Sequence, residues 1–385
     1  MATGHAVKRK TKSGGTVWGV VVNRDRDPVT GSRRRTRHGS YKTRSEAQSA
    51  LRRILTEIDS GVFVERTDLT VGEYITNVWW PAHTPTIRAN TASSYGRVIA
   101  AHIIPGLGSV RLQKLTPAML TAFYGRLSSG EDSGRDPLSA KSVRHVHVIV
   151  RRALADAVLW GYLSKNPADA AKPPRVEKTK KFETWTADQL RRFLDHVAGT
   201  GWEALFTLLA TTGMRRSEAM GLWWSDIDWD NARLSIVRTY LNVGGKPAVS
   251  EPKTGSSARS ISLDIHTIEV LRNHRRQAVE QALATGMTMS DFVFANKGIP
   301  IKPDRVTRTF TRLTEAAGLP HIRLHDLRHT WATLALRNGV HPKVVQERLG
   351  HANISTTLNT YSHVTEGMQA EAAEEIANLI LPTRP

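Results

Sequence analysis

Cysteine is missing from all 385 residues, which excludes disulfides, cysteine-held zinc and thiol catalysis. No apolar run approaches about 18 residues, so no membrane-spanning helix is expected. The first fifteen residues hold Lys8, Arg9, Lys10 and Lys12 without the apolar stretch of a signal peptide. A cytoplasmic location fits. A glycine-rich phosphate-cradling loop is also lacking, and with it the usual signature of nucleotide-driven chemistry. Acidic residues are scarce: 35 Asp and Glu face 54 Lys and Arg, giving a formal net charge of +19. An excess of that size implies a polyanionic partner, nucleic acid ahead of an anionic membrane surface.

What is present is ordinary for folded domains, with 40% hydrophobic and 23% charged residues. At roughly 150 residues per domain the length calls for two or three, and three emerge. Residues 1–60 carry 14 Lys or Arg against 5 Asp or Glu, nearly half of the total net charge. Strand patterns at Thr16–Asn23 and Arg33–His38 flank a turn at Asp27–Gly31, and a helix follows from the capping box of Thr43 and Glu46. The pattern over 1–65 is thus two strands and a helix, with Arg33, Arg34, Arg35 and Arg37 on the second strand. Those arginines make either a solvated face or a face laid on DNA.

Residues 66–170 read as helical, opening on the capping pair Thr70 and Glu73. In the longest helix, Ala140–Trp160, an apolar stripe of Val143, Val146, Val150, Leu154 and Val158 leaves Lys141, Arg144 and Arg151 for the surface and for phosphate. Paired prolines and five cationic residues in Ala171–Lys181 mark a linker, bounded at 171–182. Past it, 183–363 is mainly helical with strands at Ala232–Leu241 and Ala258–Leu263. Pro342 and Gly350 delimit a helix that leaves His351 on the following loop. The tail, 364–385, turns acidic, with four Glu against Arg384. It keeps an apolar helical stripe (Met368, Ala372, Ile376, Leu379, Ile380) that must cover something, on this protomer or a neighbour. The overall class is α+β, mainly α.

The residues that carry chemistry cluster late. Tyr361 follows His351 by ten residues, and His325-Asp326-Leu327-Arg328-His329 lies upstream. A tyrosine hydroxyl with a reference pKa of about 10 attacks nothing at neutral pH without help. Arginines that grip phosphate oxygens in pairs, with His and Lys to move protons, are the help a phosphoryl centre requires.

With those residues in view, the C-terminal half resembles the tyrosine recombinase, or phage integrase, family. Thr212-Gly213-Met214-Arg215-Arg216-Ser217-Glu218 looks like its first arginine box, and Leu222–Asp228 like the segment after it. Glu251–Arg259 resembles its lysine hairpin. The resemblance implies that Arg215 and Arg328 bind the scissile phosphate and that Lys253 protonates the departing 5′ oxygen. It further implies that His325 handles the tyrosine proton, that His351 bonds a non-bridging oxygen and that Tyr361 is the nucleophile. Glu218 would orient Arg215, and family register favours Arg215 over its neighbour Arg216.

Residues 66–170 then correspond to an all-helical core-binding domain and 1–65 to an arm-binding domain, which implies a small three-stranded sheet plus a helix there, while 364–385 would join protomers. The implied activity is integration or excision of a phage or integrative element, through a 3′-phosphotyrosine and a Holliday junction, with no cofactor and no metal. Implied partners are double-stranded DNA with core and arm sites, three further copies in a tetramer, and an excisionase or DNA-bending host factor. The implied location is the nucleoid of a bacterial host.

Three other readings compete. A type IB topoisomerase shares the chemistry but not the arm domain. A silent DNA-binding regulator would not need Tyr361, Arg215 and Arg328 together. A zinc metalloprotease on the His325/His329 pair would want Glu where Asp326 stands, and a third ligand.

Overall fold

The computed structural model describes residues 3–10, 15–26, 33–60, 63–131, 136–177, 183–243, 246–250, 258–296, 298–361 and 368–381. It separates into two compact units, Met1–Lys178 and Thr179–Pro385. Lys253, the Asp27–Gly31 turn and part of the 171–182 stretch lie outside the described residues.

In the first unit, β1 (Thr3–Lys10), β2 (Thr16–Arg26) and β3 (Arg33–Tyr41) form an antiparallel sheet in that order. Alternation along β2 sends Val20 and Val22 into a small core with Ala47, Ala50 and Ile54 of α1 (Arg44–Asp59). The Thr43–Glu46 capping box starts that helix. Val21 belongs to the opposite face, and the register pairs it with Arg37, as it pairs Asn23 with Arg35. Arg35 and Arg37 are therefore exposed on the side of the sheet away from α1. Arg33 and Arg34 open the same strand.

A second core follows, built from α2 (Val71–Glu73), α3 (Trp80–His83), α4 (Ala89–Val98), α5 (Ile104–Leu107), α6 (Pro117–Ser129) and α7 (Ala140–Leu159). Wide π turns at Tyr74–Trp79 and Ile99–Ile103 join the short pieces. Pro81 and Pro105 each come two positions after the end of such a turn. A proline ring clashes with the carbonyl four residues back, and widening the preceding turn moves that carbonyl aside. On α7, Val143, Val146, Ile149, Val150, Ala153 and Leu154 are buried, each large aliphatic contributing about 1.5–3 kcal/mol. The polar tips in this core are satisfied: Tyr74 Oη donates to the Ala153 carbonyl at 3.0 Å and Trp79 Nε1 to Asp156 at 2.8 Å.

The second unit contains α8 (Ala187–Val197), α9 (Glu203–Thr212), α10 (Arg216–Met220), α11 (Ile265–Thr285), α12 (Pro303–Ala316), α13 (Asp326–Arg337), α14 (Pro342–Leu349), α15 (Ile354–Tyr361) and α16 (Met368–Ile380). One sheet joins β4 (Ile227–Asp228), β5 (Arg233–Ile236) and β8 (Arg259–Ser262) in that order; β6 (Thr239–Val243) pairs with β7 (Lys246–Ser250), and β9 (Ala295–Asn296) with β10 (Ile299–Pro300). The single strand expected over Ala232–Leu241 is thus two strands in different sheets. The chain breaks at Val237-Arg238, where the Arg238 guanidinium turns in to Asp226 at 2.5 Å and lies 3.9 Å from the Trp223 ring centre. Trp185, Phe193, Phe206 and Phe310 pack with ring centres 5.2–5.8 Å apart at the heart of this unit. Among the described residues no helix is long and apolar enough to cross a membrane.

Candidate active site

Gly213 and Gly350 set up the site by ending helices. Both adopt left-handed backbone, with φ of +65°, where a side chain would be strained. The first turn delivers Met214-Arg215 to the start of α10, and the second delivers His351 beyond α14. At Gly350 a Cβ would also lie 2.7 Å from Nη1 of Arg259, so glycine is required twice over.

Arg215 caps α10 in an unusual way. Its backbone N–H donates to Glu218 Oε2 at 2.7 Å, and its Nη1 donates to Glu218 Oε1 at 2.7 Å. The Glu218 side chain is 1% exposed and receives a second arginine as well: Arg259 donates Nη1 at 3.1 Å and Nη2 at 2.9 Å. Burial alone would push the Glu218 carboxyl up, but the hydrogen bonds and charge of Arg259, then of Arg215, hold it below the usual carboxylate range. Arg216 points elsewhere, to the Pro303 carbonyl and the Thr307 hydroxyl of α12. Neighbours on a helix lie about 100° apart, and Arg215 is the one at the site.

Three arginines converge on the C-terminal end of α14, one per carbonyl. Arg259 Nε donates to the Arg348 carbonyl at 2.7 Å, Arg328 Nη2 to that of Leu349 at 2.6 Å, and Arg215 Nη2 to that of Gly350 at 3.4 Å. The helix leaves those carbonyls unpaired and concentrates partial negative charge there. Arg328 is buried and also holds the Gly213 carbonyl at 2.9 Å. Burial first, then repulsion from Arg215, brings its pKa down to about 9, which leaves it cationic at neutral pH. Arg215, whose side chain is 34% exposed, can still meet a phosphate from outside.

His351 accepts or donates one hydrogen bond at Nδ1 with Thr357 Oγ1 at 2.9 Å, and its carbonyl accepts from Gln346 at 2.6 Å. Burial, followed by Arg328 and Arg215, pushes its pKa down to about 4. It is a neutral hydrogen-bonding group at pH 7. Tyr361 ends α15 and packs with Ala332, Leu336, Val345 and Leu349. Burial raises its phenol to about 12, against the opposing pull of Arg328.

The hydrogen-bond partner of the tyrosine is not the histidine to which its proton was assigned. His325, assigned to the tyrosine proton, is exposed at the start of α13 and presents its ring edge-on to His329, with centres 5.2 Å apart and planes at 86°. The ring bonded to Tyr361 is His329, with Nδ1 2.8 Å from Oη. Residues 325 and 329 are one turn apart, and the helix aims the second at α15. Sequence reasoning also gave no role to Arg259. An arginine at the start of a strand gives no sign of its target until α14 is docked against it.

Of the surface residues expected to touch DNA, Lys141 and Arg144 are exposed on α7. Arg151 is paired with Asp169, Nε to Oδ1 at 2.7 Å, which ties the end of the helical region to α7. Among the described residues, no group of three or more His, Asp or Glu is arranged to hold a metal ion.

Family models match along the chain in three pieces: an arm DNA-binding domain over residues 6–58, a phage integrase N-terminal SAM-like domain over 70–128 and the phage integrase family over 183–368. The chain is 27% identical to a XerC-like tyrosine recombinase of Caldanaerobacter subterraneus, covering 96% of this chain and 98% of that one. It is 26% identical to the ICEBs1 integrase of Bacillus subtilis, with coverage of 92% and 95%. The fold is similar to that of the Tn1549 transposon integrase in complex with a circular intermediate DNA, at a TM-score of 0.66 and 23% identity over 80% of this chain and all of the other. It is also similar to a lambda integrase tetramer bound to a Holliday junction, at 0.56 and 19% over 91% and 94%. With all three family models in order along it, the chain belongs to the tyrosine recombinase (phage integrase) family and is a site-specific DNA recombinase with a tyrosine nucleophile.

Proposed function

We propose that this recombinase integrates and excises a phage or integrative element by the following division of labour. Arg215 and Arg328 clamp the scissile phosphate and neutralise charge as it becomes pentacoordinate. Tyr361 attacks phosphorus and holds the 3′ end as a phosphotyrosine ester. Lys253 gives a proton to the departing 5′ oxygen, and His351 bonds a non-bridging oxygen. Glu218 keeps Arg215 in place. Bond energy is conserved in the ester, so neither nucleotide nor metal is called for. The observation that carries this reading is the meeting of Arg215, Arg328, His351 and Tyr361 around the end of α14, although they come from three separate segments of the chain: the start of α10, α13 and the stretch from 351 to 361.

Residues 1–65 serve as the arm-binding domain, with Arg35 and Arg37 and their strand neighbours Arg33 and Arg34 on DNA. Residues 66–170 bind the core site through Lys141 and Arg144, with Arg151 at the edge, and 171–182 joins them to the catalytic domain at 183–363. The tail from 364 onward links four protomers on a Holliday junction. The exposure of Ile376, Leu379 and Ile380 on α16 supports that last role, since such a stripe favours cover. An excisionase or DNA-bending host factor would set direction, and the site of action is the host nucleoid.

The test is a suicide-substrate trap: wild type and Tyr361→Phe incubated in EDTA with nicked DNA carrying the element's attachment site, then denatured. A covalent adduct from the wild type alone is expected. An adduct that persists in Tyr361→Phe would place the nucleophile elsewhere, and one that needs added metal would overturn the metal-free chemistry.

A further inference from the structure

We infer that His329 is the general base for Tyr361, taking the hydroxyl proton as the phosphotyrosine forms and returning it when the strand is rejoined. The inference rests on the reading of Tyr361 as nucleophile.

His329 Nδ1 lies 2.8 Å from Tyr361 Oη, within direct proton-transfer reach. The two residues are on separate helices, α13 and α15, and the rings are 5.7 Å apart at 58°, so the contact is one of tertiary packing rather than of local chain. For Nδ1 to accept, the imidazole must be neutral with its proton on Nε2. The surroundings enforce neutrality. Burial acts first and the facing His325 ring next; Arg328 and Arg323 add to them, Asp326 opposes, and the pKa falls to about 4. The neighbouring His351 is itself held neutral. Asp326 is largely taken up by Arg323, which donates its backbone N–H at 2.8 Å and two guanidinium N–H groups at 3.0 and 2.9 Å.

A base this weak cannot ionise a phenol near 12 in advance. It can only accept the proton while the Oη–P bond forms and the phenol becomes more acidic, which keeps the nucleophile silent until a phosphate is in the clamp. In that step the Oη–H bond breaks, the proton goes to Nδ1, Oη bonds to phosphorus, and the P–O5′ bond breaks with the 5′ oxygen protonated by the general acid. In rejoining, a 5′ hydroxyl attacks phosphorus and the leaving Oη takes its proton back from His329. The imidazole ends as it began.

The alternative role for the same bond is a latch that stores the buried tyrosine until DNA arrives. A latch and a base respond oppositely to His329→Asn, because the asparagine amide can still hydrogen-bond the hydroxyl but cannot accept its proton. The experiment is single-turnover formation of the covalent adduct by full-length protein at saturating suicide DNA, followed with pH. A base predicts that His329→Asn slows adduct formation by about 10²–10⁴-fold at neutral pH, with DNA affinity retained. The residual rate should climb about tenfold per pH unit as hydroxide substitutes for the base. His325→Asn should keep the wild-type pH profile.

Incorporating a fluorinated tyrosine of lower pKa at position 361 should restore most of the His329→Asn rate, which a misfolded variant could not do. A wild-type or faster rate for His329→Asn, or a slow rate with unchanged pH profile and no response to fluorotyrosine, would overturn the assignment. Absence of a wild-type adduct, or an adduct from Tyr361→Phe, would instead remove the nucleophile reading beneath it.

Discussion

The arginines of the N-terminal sheet and those around α14 are the same residue type put to opposite uses. Arg35 and Arg37 are exposed on a sheet face, where each can exchange water and counterions for a phosphate. Arg259 and Arg328 are buried with their donors committed to carbonyls or to Glu218. In the first place, charge acts through number and is softened by salt. In the second it acts through position, because water is excluded and each guanidinium is fixed by two or more segments. The contrast predicts that single losses near α14 will be severe and single losses on the sheet mild.

The largest effect should come from Arg328. Arg328→Ala removes the clamp proposed for the phosphate and strips the Gly213 and Leu349 carbonyls of their donor. We expect adduct formation to fall by about 10³-fold, together with a lower Tm, since each buried group left unpaired costs about 1–3 kcal/mol. Arg328→Lys should recover little of either, for an ammonium cannot span both carbonyls. Near-normal cleavage by the lysine variant would mean that charge alone suffices and that the contrast with the sheet is false.

How much of this could be read from the chain follows from the same distinction between local and long-range causes. The capping boxes at Thr43, Thr70 and Thr186, the α14 boundaries at Pro342 and Gly350, and the buried face of α7 are set within a few residues, and the sequence displays them. The partner of Tyr361 is not of that kind. His325 and His329 have the same chemistry one turn apart, and which of them meets the tyrosine depends on how α15 packs against α13. Arg259 was illegible for a related reason: its carbonyl target is 89 residues away. The break at Val237-Arg238 depends on Asp226 and Trp223 coming to meet the arginine.

A smaller effect, read on stability, tests the carboxylate between two arginines. Glu218→Ala leaves Arg259 buried beside Arg215 without its counter-charge, and removing one member of such a pair typically costs about 3–5 kcal/mol. Arg259→Ala should cost a similar amount by leaving Glu218 with only Arg215. In the double variant the losses should fall well short of additive, because the second substitution removes the charge that the first one stranded. Urea unfolding of the four proteins measures the coupling, and strict additivity would show that Glu218 and Arg259 do not depend on one another.

The smallest effect belongs to the sheet. Arg35→Ala and Arg37→Ala should each weaken binding to arm DNA uniformly and lower the slope of log affinity against log salt by about 0.9, the value for one lost phosphate contact on duplex DNA. Adduct formation on a short core-site duplex should be unchanged by either, because no arm sequence is present to be bound. If Arg37→Ala shifted preference among arm sequences while leaving the salt slope intact, its guanidinium would be reading a base edge. The exposed face would then be doing the positional work so far credited only to the buried arginines.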